Sequence, residues 1–297
     1  MRNKRILTTT ISTLLILLTA TVAAGWEDVD ETREASADGT VTIKNISGSV
    51  TVVGWDRDEV HVGGTLGDGT ERLDFERRGD RVRIEVVVPR RSHNVEGSFL
   101  TIHLPHGSEL DVATVSADID VKEVTGVVYL ESVSGDIEVV GEMAELETES
   151  VSGTIELRVQ CAEVSAGTVS GDIDLRDGLG DVSVQSVSGD IEVEGGLFVH
   201  LDGSTVSGNI VFRGDLAGDG SYRFESHSGD IRLYLPEKLD ADFEVSTFSG
   251  DIDNDFGPRP SRVSKYTQGL ELSFTQGSGD ARVRVETFSG DVELLVR

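Results

Sequence analysis

Apolar and polar residues alternate over short stretches of the chain, and the alternation itself recurs with a fixed period. Five units of equal length begin at Leu110, Val128, Leu146, Val164 and Val182. Each unit carries apolar residues at its first, sixth, tenth and twelfth positions, which in the first unit are Leu110, Val115, Ile119 and Val121. Alternation with a period of two predicts β-strands that turn one face to a core and the other to solvent.

Identical columns in successive units predict that the units, here called rungs, stack so that each strand pairs in register with its equivalents above and below. At about 3.3 Å per residue, a rung has room for two or three short strands and their corners. We therefore expect an all-β protein, a parallel β-solenoid or β-helix, whose four apolar columns form one shared core. Antiparallel hairpins stacked as a sandwich are the alternative.

A Ser-Gly pair near the middle of each rung predicts a corner. Glycine suits a backbone with positive φ or a close approach of another chain segment. The glycines are Gly135, Gly153, Gly171 and Gly189. Ala117 takes this place in the first rung and marks the edge of the regular array.

The rest of the chain predicts caps around residues 110–199, the five regular rungs. Residues 25–109 are rich in strand patterns that are out of phase with the 18-residue period, although "TVTIKNISGSVTVVGW" contains a degenerate copy of the rung. We therefore expect an N-terminal β cap continuous with the solenoid. Residues 200–297 contain "VSGNI", "HSGDI", "FSGDI" and "FSGDV" at looser spacing. There we expect irregular rungs and C-terminal capping strands, with "GSGDARVRVETFSGDVELL" as the closing pair.

The segment 1–24 predicts a secretory signal peptide. A basic start, "MRNKR", precedes a short apolar run, and the small residues Val22 and Ala24 precede a cleavage point before Gly25. The apolar run is too short to favour a transmembrane anchor. We therefore expect an exported protein without a transmembrane anchor after cleavage, located in the periplasm, at the cell surface or outside the cell.

The chain is strongly acidic, with 54 Asp and Glu against 26 Lys and Arg and a formal charge of −28. Loss of the signal peptide removes three cations and no acid, which lowers the charge to −31. Such a surface does not favour nucleic acid and attracts metal cations or basic partners. Cys161 is the only cysteine, so no disulfide can form within the chain.

Two columns of acids predict ladders of carboxylates on the outer face. The ninth column holds Asp118, Asp136, Asp172 and Asp190, and the eleventh holds Asp120, Glu138, Glu156, Asp174 and Glu192. Neighbours about 4.8 Å apart repel by about 1 kcal/mol even in water. Bonds from corner amides to the Asp carboxylates, or pairing with Lys122, Arg158 and Arg176, would relieve this repulsion and are favoured.

Calcium is the third form of relief. It would lie between the carboxylates of Asp118, Asp136, Asp172, Asp190, Asp120, Glu138, Asp174 and Glu192. The longer Gly and Asp run of calcium-binding repeats is lacking, so we expect no cofactor, with calcium as the open alternative.

The sequence predicts no catalytic and no cofactor-binding residue. A serine nucleophile needs a neighbouring base, and among the Ser-Gly corners only His227 lies beside one. His103 and His106 could bind a metal, but the alternation around His103 favours a solvated side chain. A polysaccharide-active β-helix enzyme would need a cleft wall, for which residues 254–268 are the candidate loop. That loop carries Arg259, Arg262, Lys265 and Tyr266.

Three stretches together resemble the bacterial and archaeal β-strand-repeat family of adhesins of unknown function. They are "NISGSVTVVGWDRDEVHVGGTL", "IHLPHGSELDVATVSADIDV" and the recurrent "VSGDIEV". The resemblance implies an SGDI-repeat β-solenoid but no particular activity. We interpret the chain as an exported, non-enzymatic envelope or surface scaffold that presents an acidic face to an unknown protein or polysaccharide. The alternatives are the polysaccharide-active enzyme and a calcium-stabilised extracellular matrix protein.

Overall fold

The structure, a computed structural model, describes residues 26–89, 95–264 and 268–297. In these ranges the regular secondary structure is 23 β-strands and no helix, joined in one mostly parallel sheet. The predicted all-β, mainly parallel fold is thus confirmed. The predicted signal peptide lies outside the described residues. Within them, no helix is long and apolar enough to span a membrane.

The strands are described in three groups along the chain. Before the regular rungs lie β1 (Glu27–Glu34), β2 (Thr40–Trp55), β3 (Glu59–Leu66), β4 (Arg72–Arg78), β5 (Arg81–Val87) and β6 (Ser98–Pro105). The regular rungs contain β7 (Glu109–Lys122), β8 (Val127–Ser132), β9 (Ile137–Ser150), β10 (Ile155–Thr168), β11 (Ile173–Arg176), β12 (Leu179–Ser186) and β13 (Ile191–Glu194). After them come β14 (Leu197–Thr205), β15 (Ile210–Arg213), β16 (Ser221–Ser228), β17 (Ile231–Leu235), β18 (Ala241–Ser249), β19 (Ile252–Asn254), β20 (Ser261–Arg262), β21 (Leu270–Gln276), β22 (Ala281–Ser289) and β23 (Val292–Val296).

Strands of neighbouring rungs pair in parallel between residues one period apart. Ile155 pairs with Ile137 on one side and with Ile173 on the other. Val164 likewise lies between Leu146 and Val182. The first, tenth and twelfth columns point inward and are buried. Each rung therefore adds one layer of Val, Ile and Leu to a core that runs along the stack.

The corner is held by a hydrogen bond and by close backbone contact. The hydroxyl of Thr168, in the fifth column, is buried and accepts the N–H of Gly171 at 3.0 Å. A Cβ on Gly171 would lie 1.9 Å from the carbonyl oxygen of Gly153 in the preceding rung. The glycine is thus required by the approach of two rungs, because its φ is not positive.

The sixth column is not part of the core, contrary to the expectation from the sequence. Its valines are 43–45% exposed: Val115, Val133, Val151, Val169 and Val187. The fifth column points inward, in phase with the first, so the sixth must point outward. The corner then begins and interrupts the alternation, which leaves a large apolar side chain on the surface of every rung.

The N-terminal region contains one rung that is in register with the regular array. β2 pairs in parallel with β7, which sets Val41 beside Leu110 and Val50 beside Ile119. β5 and β6 pair with the two halves of β2 on its far side. The degenerate copy of the rung expected in "TVTIKNISGSVTVVGW" is thus confirmed, because β2 stacks on the first regular rung. The chain between β2 and β7 folds beyond β2 and then returns, so β2 pairs with a strand much further along the chain than one period.

The C-terminal rungs do not stack in chain order. β22 pairs with β16 on one side and with β18 on the other, and β23 lies between β17 and β19. The expectation that this last pair caps the stack is wrong. The long connection after β19 lets the chain return to a position inside the stack, while β21 runs antiparallel along the outer edge of β18.

Candidate binding groove and acidic ladders

The exposed sixth column continues through the whole stack as one line of side chains, here called the outer ladder. Strand pairing gives its spatial order as Ile46, Val115, Val133, Val151, Val169, Val187, Val206, His227, Phe288 and Phe248. The apolar members are 41–55% exposed. At roughly 4.8 Å per strand, the ladder is about 43 Å long. It is a continuous apolar edge on an acidic protein.

A groove of about 960 Å³ runs across seven rungs, and six members of the outer ladder line it. The ladder forms one wall. The floor is the fifth column, here called the buried hydroxyl column, which consists of Ser150, Thr168, Ser186, Thr205, Ser226, Thr247 and Thr287. The polar wall, defined by the fourth column, contains Glu149, Gln185, Ser204, Glu225, Ser246 and Glu286. Val263, Gly269 and Leu270 lie at the C-terminal end. Because the groove crosses the strands, it presents the same pair of walls once per rung.

Three aromatic rings form the C-terminal part of the outer ladder. His227 stacks on Phe288 at 4.9 Å, and Phe288 stacks on Phe248 at 4.8 Å, with interplanar angles of 9° and 7°. Such pairs contribute about 0.5–1.5 kcal/mol each beyond the burial of their area. Both faces of the middle ring, Phe288, are therefore covered, and it offers only its edge to a ligand.

The polar wall is neutralised at the aromatic end and negative at the other. Glu225 pairs with Arg223 at 3.0 Å, and Glu286 pairs with Arg284 at 2.6 Å. At the other end of the wall, by contrast, Glu149 forms no ion pair within the described residues, and neither does Glu131 on the adjacent strand or Glu147 on the same strand. The pKa of Tyr129, beside them, is raised chiefly by the charge of Glu145. The groove therefore has a negative end and an apolar end.

The ninth-column ladder closes corners. The carboxylate of Asp172 accepts the backbone N–H of Asp190 at 2.8 Å, and that of Asp190 accepts the N–H of Asn209 at 2.7 Å. Asp118 and Asp136 accept the corresponding amides at 3.1 and 2.8 Å. Each aspartate thus satisfies a donor of the next rung, which is the first relief expected from the sequence.

The eleventh-column ladder is partly paired. Lys122 bonds Asp120 at 2.8 Å and Arg176 bonds Asp174 at 2.7 Å, both within one rung. Arg213 pairs with Glu192 of the preceding rung. The hydrogen bond that Lys122 donates to Asp120 raises the pKa of Lys122. Arg158, expected to take part, has no ion pair within the described residues.

A smaller cavity, of about 320 Å³, lies over the two unpaired acids of the eleventh column. Its acidic lining comprises Asp118, Asp120, Asp136, Glu138 and Glu156. In the described ranges, no group of three or more His, Cys, Asp or Glu side chains is arranged to hold a metal ion. The calcium ladder therefore stays a prediction.

Comparison with known proteins identifies the family. Residues 41–295 match the profile of the Toastrack DUF4097 family. The chain belongs to the Toastrack family. No curated protein matches it.

Three solved structures are similar to this Toastrack chain. A "putative cell adhesion protein" from Clostridium sporogenes has 9% identity and a TM-score of 0.25, with 91% of this chain and 100% of the other covered. A "putative adhesin" from Parabacteroides distasonis has 11% identity and a TM-score of 0.44, with 90% and 97% covered. A "putative adhesin" from Parabacteroides merdae has 10% identity and a TM-score of 0.36, with 92% and 97% covered.

The Toastrack chain does not bring His103 and His106 to common partners. His103 packs beside Trp55 and His61, with ring centroids 5.1 and 6.0 Å away. It is partly buried rather than fully solvated, and burial, followed by His61 and Arg57, lowers its pKa. His106 instead donates from Nδ1 to the Glu123 carbonyl at 2.5 Å.

The loop considered as an enzyme cleft wall packs over the end of the Toastrack core. Phe243 contacts Phe274 at 4.7 Å and Phe256 at 6.3 Å between ring centroids. Asn254 donates to the Pro258 carbonyl at 3.0 Å, which closes the first turn of the loop. Of the four residues expected in the wall, Arg259 and Arg262 are exposed, and Lys265 and Tyr266 lie outside the described residues.

The outer ladder and the hydroxyl column beneath the groove were not predicted from the sequence. The positions of these residues within each rung could have revealed both. Positions one, three and five of a rung share a face, so a serine or threonine at the fifth position is inward and the following valine is outward. The outward direction of the sixth column was not recognised, because every recurrent apolar column was assigned to the core.

Proposed function

We propose that this Toastrack chain is an exported, non-enzymatic solenoid scaffold that binds a surface partner, as an adhesin does. The observation that carries the proposal is the outer ladder, an apolar edge about 43 Å long at roughly 4.8 Å per strand. Extended apolar patches on soluble proteins mark interaction sites because their exposure to water is unfavourable. The repeated walls of the groove suit a partner that is itself extended.

Binding is favoured over catalysis by the state of the polar groups in the groove. His227 is stacked on Phe288 and forms no hydrogen bond within the described chain, so it is not held as a base. The Ser226 hydroxyl donates to the Gly208 carbonyl at 3.2 Å, which directs its proton into the corner. The two glutamates at the aromatic end are paired with arginines. The groove thus offers contact surfaces rather than an activated nucleophile.

The acidic surface favours some classes of partner over others. At a charge of −28 the chain repels nucleic acid and anionic lipid and attracts basic groups. The partner classes are therefore a protein or a polysaccharide of the cell surface. Export is part of the proposal, because a surface partner is otherwise out of reach. The mature N-terminus read from the exported protein should be Gly25.

Adhesion of coated beads tests the proposal. Beads that carry the protein are applied to intact cells of the source organism and to their isolated envelopes, with and without Val187→Asp. We expect the substitution to reduce bead retention at least tenfold. Val199→Asp is the matched control, because Val187 and Val199 are 44% and 45% exposed and Val199 lies outside the groove. Equal retention of all three proteins would overturn the proposal, as would release of reducing ends from envelope polysaccharide.

A further inference from the structure

We propose that the groove binds an extended polypeptide in the polyproline II conformation, with an apolar side chain at every third position and basic residues at one end. The inference rests on the proposed function, because it names the partner class for the same groove. It follows from the spacing of the rungs, the distribution of charge and the arrangement of the aromatic rings.

The rung spacing matches a polyproline II helix. Two rungs span about 9.6 Å, and one turn of polyproline II spans about 9.3 Å because it has three residues of about 3.1 Å each. Every third side chain therefore meets every second member of the outer ladder. Over the seven rungs of the groove, about 29 Å at that spacing, the accumulated mismatch is about 1 Å. Three turns of the ligand fill the groove.

Other regular conformations fall out of step. The side chains on one face of an α-helix recur every turn, about 5.4 Å, so they slip by about 0.6 Å at each rung and by about 3.6 Å over the groove. Side chains on one face of a β-strand are about 6.7 Å apart, which also fails to match one rung or two. A polyproline II backbone has no internal hydrogen bonds, so its carbonyls are free to accept from the polar wall. Gln185 and Ser204 supply donors there.

Charge complementarity orients this ligand. Glu149 lines the negative end of the groove, and Glu131 on the adjacent strand and Glu147 on the same strand lie just beyond it; none of the three forms an ion pair within the described residues, whereas the aromatic end is neutralised by arginine. Basic residues of the ligand lie over the negative end, and its apolar residues lie along the outer ladder towards Phe248. A second copy of this chain is disfavoured as occupant, because each copy carries a formal charge of −28 and the two would repel each other.

The aromatic rings favour polypeptide over glycan. Sugars bind aromatic side chains chiefly through ring faces, and here both faces of Phe288 and one face each of His227 and Phe248 are covered by a neighbouring ring. The exposed ring edges and valine methyl groups instead suit apolar side chains.

Labelled synthetic peptides test the inference. The probe consists of three Leu-Pro-Pro triplets, a final Leu and two Arg at one end. It is made in two versions, one with the Arg pair at the N-terminus and one with it at the C-terminus, and binding to the protein is followed by fluorescence anisotropy. Replacing every Pro by Gly keeps the apolar spacing in sequence but removes the preformed conformation. We expect the Pro peptide to bind at least tenfold more tightly than the Gly peptide, and Val187→Asp to weaken it at least tenfold. Val199→Asp should leave its affinity unchanged.

The negative end is tested by Glu131→Gln combined with Glu149→Gln. We expect this variant to bind the Pro peptide several-fold more weakly and with a smaller dependence on salt. Far-UV circular dichroism checks that each variant is folded, and Val187→Ser, a milder change, is measured beside Val187→Asp. Equal affinity for the Pro and Gly peptides, or no effect of either Val187 substitution on peptide binding, overturns the inference.

Failure of this inference and failure of the proposed function give different results. If bead adhesion depends on Val187 but the Pro peptide does not bind, and periodate treatment of the envelope abolishes adhesion, the occupant is a glycan and only the inference is overturned. If the Pro peptide binds in a manner that depends on Val187 while bead adhesion does not, the inference holds and the surface function is overturned. If neither depends on Val187, both are overturned.

Discussion

The rings of Phe248 and Phe288 lie parallel, 4.8 Å apart, although β19, β20 and β21 lie between them in the chain. They hold equivalent positions on adjacent rungs, and the later residue is the inner one. This contact shows that β22 and β23 are internal parts of the stack. The C-terminal third therefore depends on strands that a reading in chain order would place at its edge.

Leu294 and Leu295 test the internal position of β23. Leu294 is fully buried, whereas its neighbour Leu295 is half-buried on the opposite face. We expect Leu294→Ala to lower the free energy of unfolding by about 2–5 kcal/mol, because it opens a cavity between two rungs. Leu295→Ala should lower it by about 1 kcal/mol. Urea titrations of both variants measure the difference, and equal losses would contradict the internal position.

Alanine substitutions at two glycines, one on β10 and one at the corner after it, should have different effects on the free energy of unfolding. In Gly171→Ala the added Cβ meets the Gly153 carbonyl oxygen at 1.9 Å, so the rungs must separate. We expect a loss of about 2–4 kcal/mol in the free energy of unfolding. Gly167 has nothing within 4 Å of an added Cβ. Gly167→Ala should be neutral or stabilise by about 0.5 kcal/mol, because glycine is disfavoured in strands.

Substitutions of Ser150 and Ser152 compare the contribution of a buried hydroxyl to stability with that of an exposed one. The buried Ser150 hydroxyl accepts the N–H of Gly153 at 2.8 Å, whereas Ser152 is exposed. Ser150→Ala leaves a buried donor without a partner and should lower the free energy of unfolding by about 1–3 kcal/mol. Ser152→Ala should change it by less than about 0.5 kcal/mol. Thermal melts that rank the two variants in the reverse order would rule out this role of the fifth column.

The repeat predicted the parallel β architecture because period-two alternation and identical columns act locally, within each rung and its neighbours. It did not predict the C-terminal order, since "FSGDI" at Phe248 and "FSGDV" at Phe288 are equally compatible with either sequence of stacking. The pairing of β2 with β7 was not predicted for a related reason. Four strands, β3 to β6, lie between Val41 and its partner Leu110 in the chain. The groove was missed because Val187 was assigned to the core by its hydrophobicity rather than by its phase.

Calcium should have no specific effect on the melting temperature. The ninth-column aspartates already accept amides, and Lys122, Arg176 and Arg213 neutralise part of the eleventh column, so the carboxylates do not need an ion between them. We expect equal melts with EDTA, with millimolar calcium and with sodium chloride of matched ionic strength, apart from general screening. A rise specific to calcium would show that the folded state binds the ion, because such a ligand stabilises it.

Asp190 provides a second test of the ninth column. Asp190→Asn keeps an acceptor for the N–H of Asn209, as Asn209 itself does for Asp230 at 3.0 Å. It also removes a negative charge, so the free energy of unfolding should stay the same or rise. Asp190→Ala removes the acceptor and should lower it by about 1 kcal/mol. Urea titration distinguishes the two, and a loss for Asn as large as for Ala would show that charge is required.

His103 should make stability depend on pH. Burial, followed by His61 and Arg57, lowers its pKa in the folded state, so the unfolded chain takes up a proton more readily. This contribution to stability is present above the unfolded value of about 6.5 and is lost as pH falls below it. In His103→Gln that part of the decline should be absent. Urea titrations between about pH 8 and pH 5 measure it, and an unchanged slope in the variant would contradict the assignment.

The internal position of β22 and β23 has a consequence for biogenesis. These strands are synthesised after both of the rungs that flank them. Until they arrive, β16 and β18 each present a row of unpaired backbone groups, the kind of edge that recruits other chains and proteases. A translation product that stops after Gln276 keeps both edges open. The two late strands therefore close both edges at once, on either side of β22 and β23.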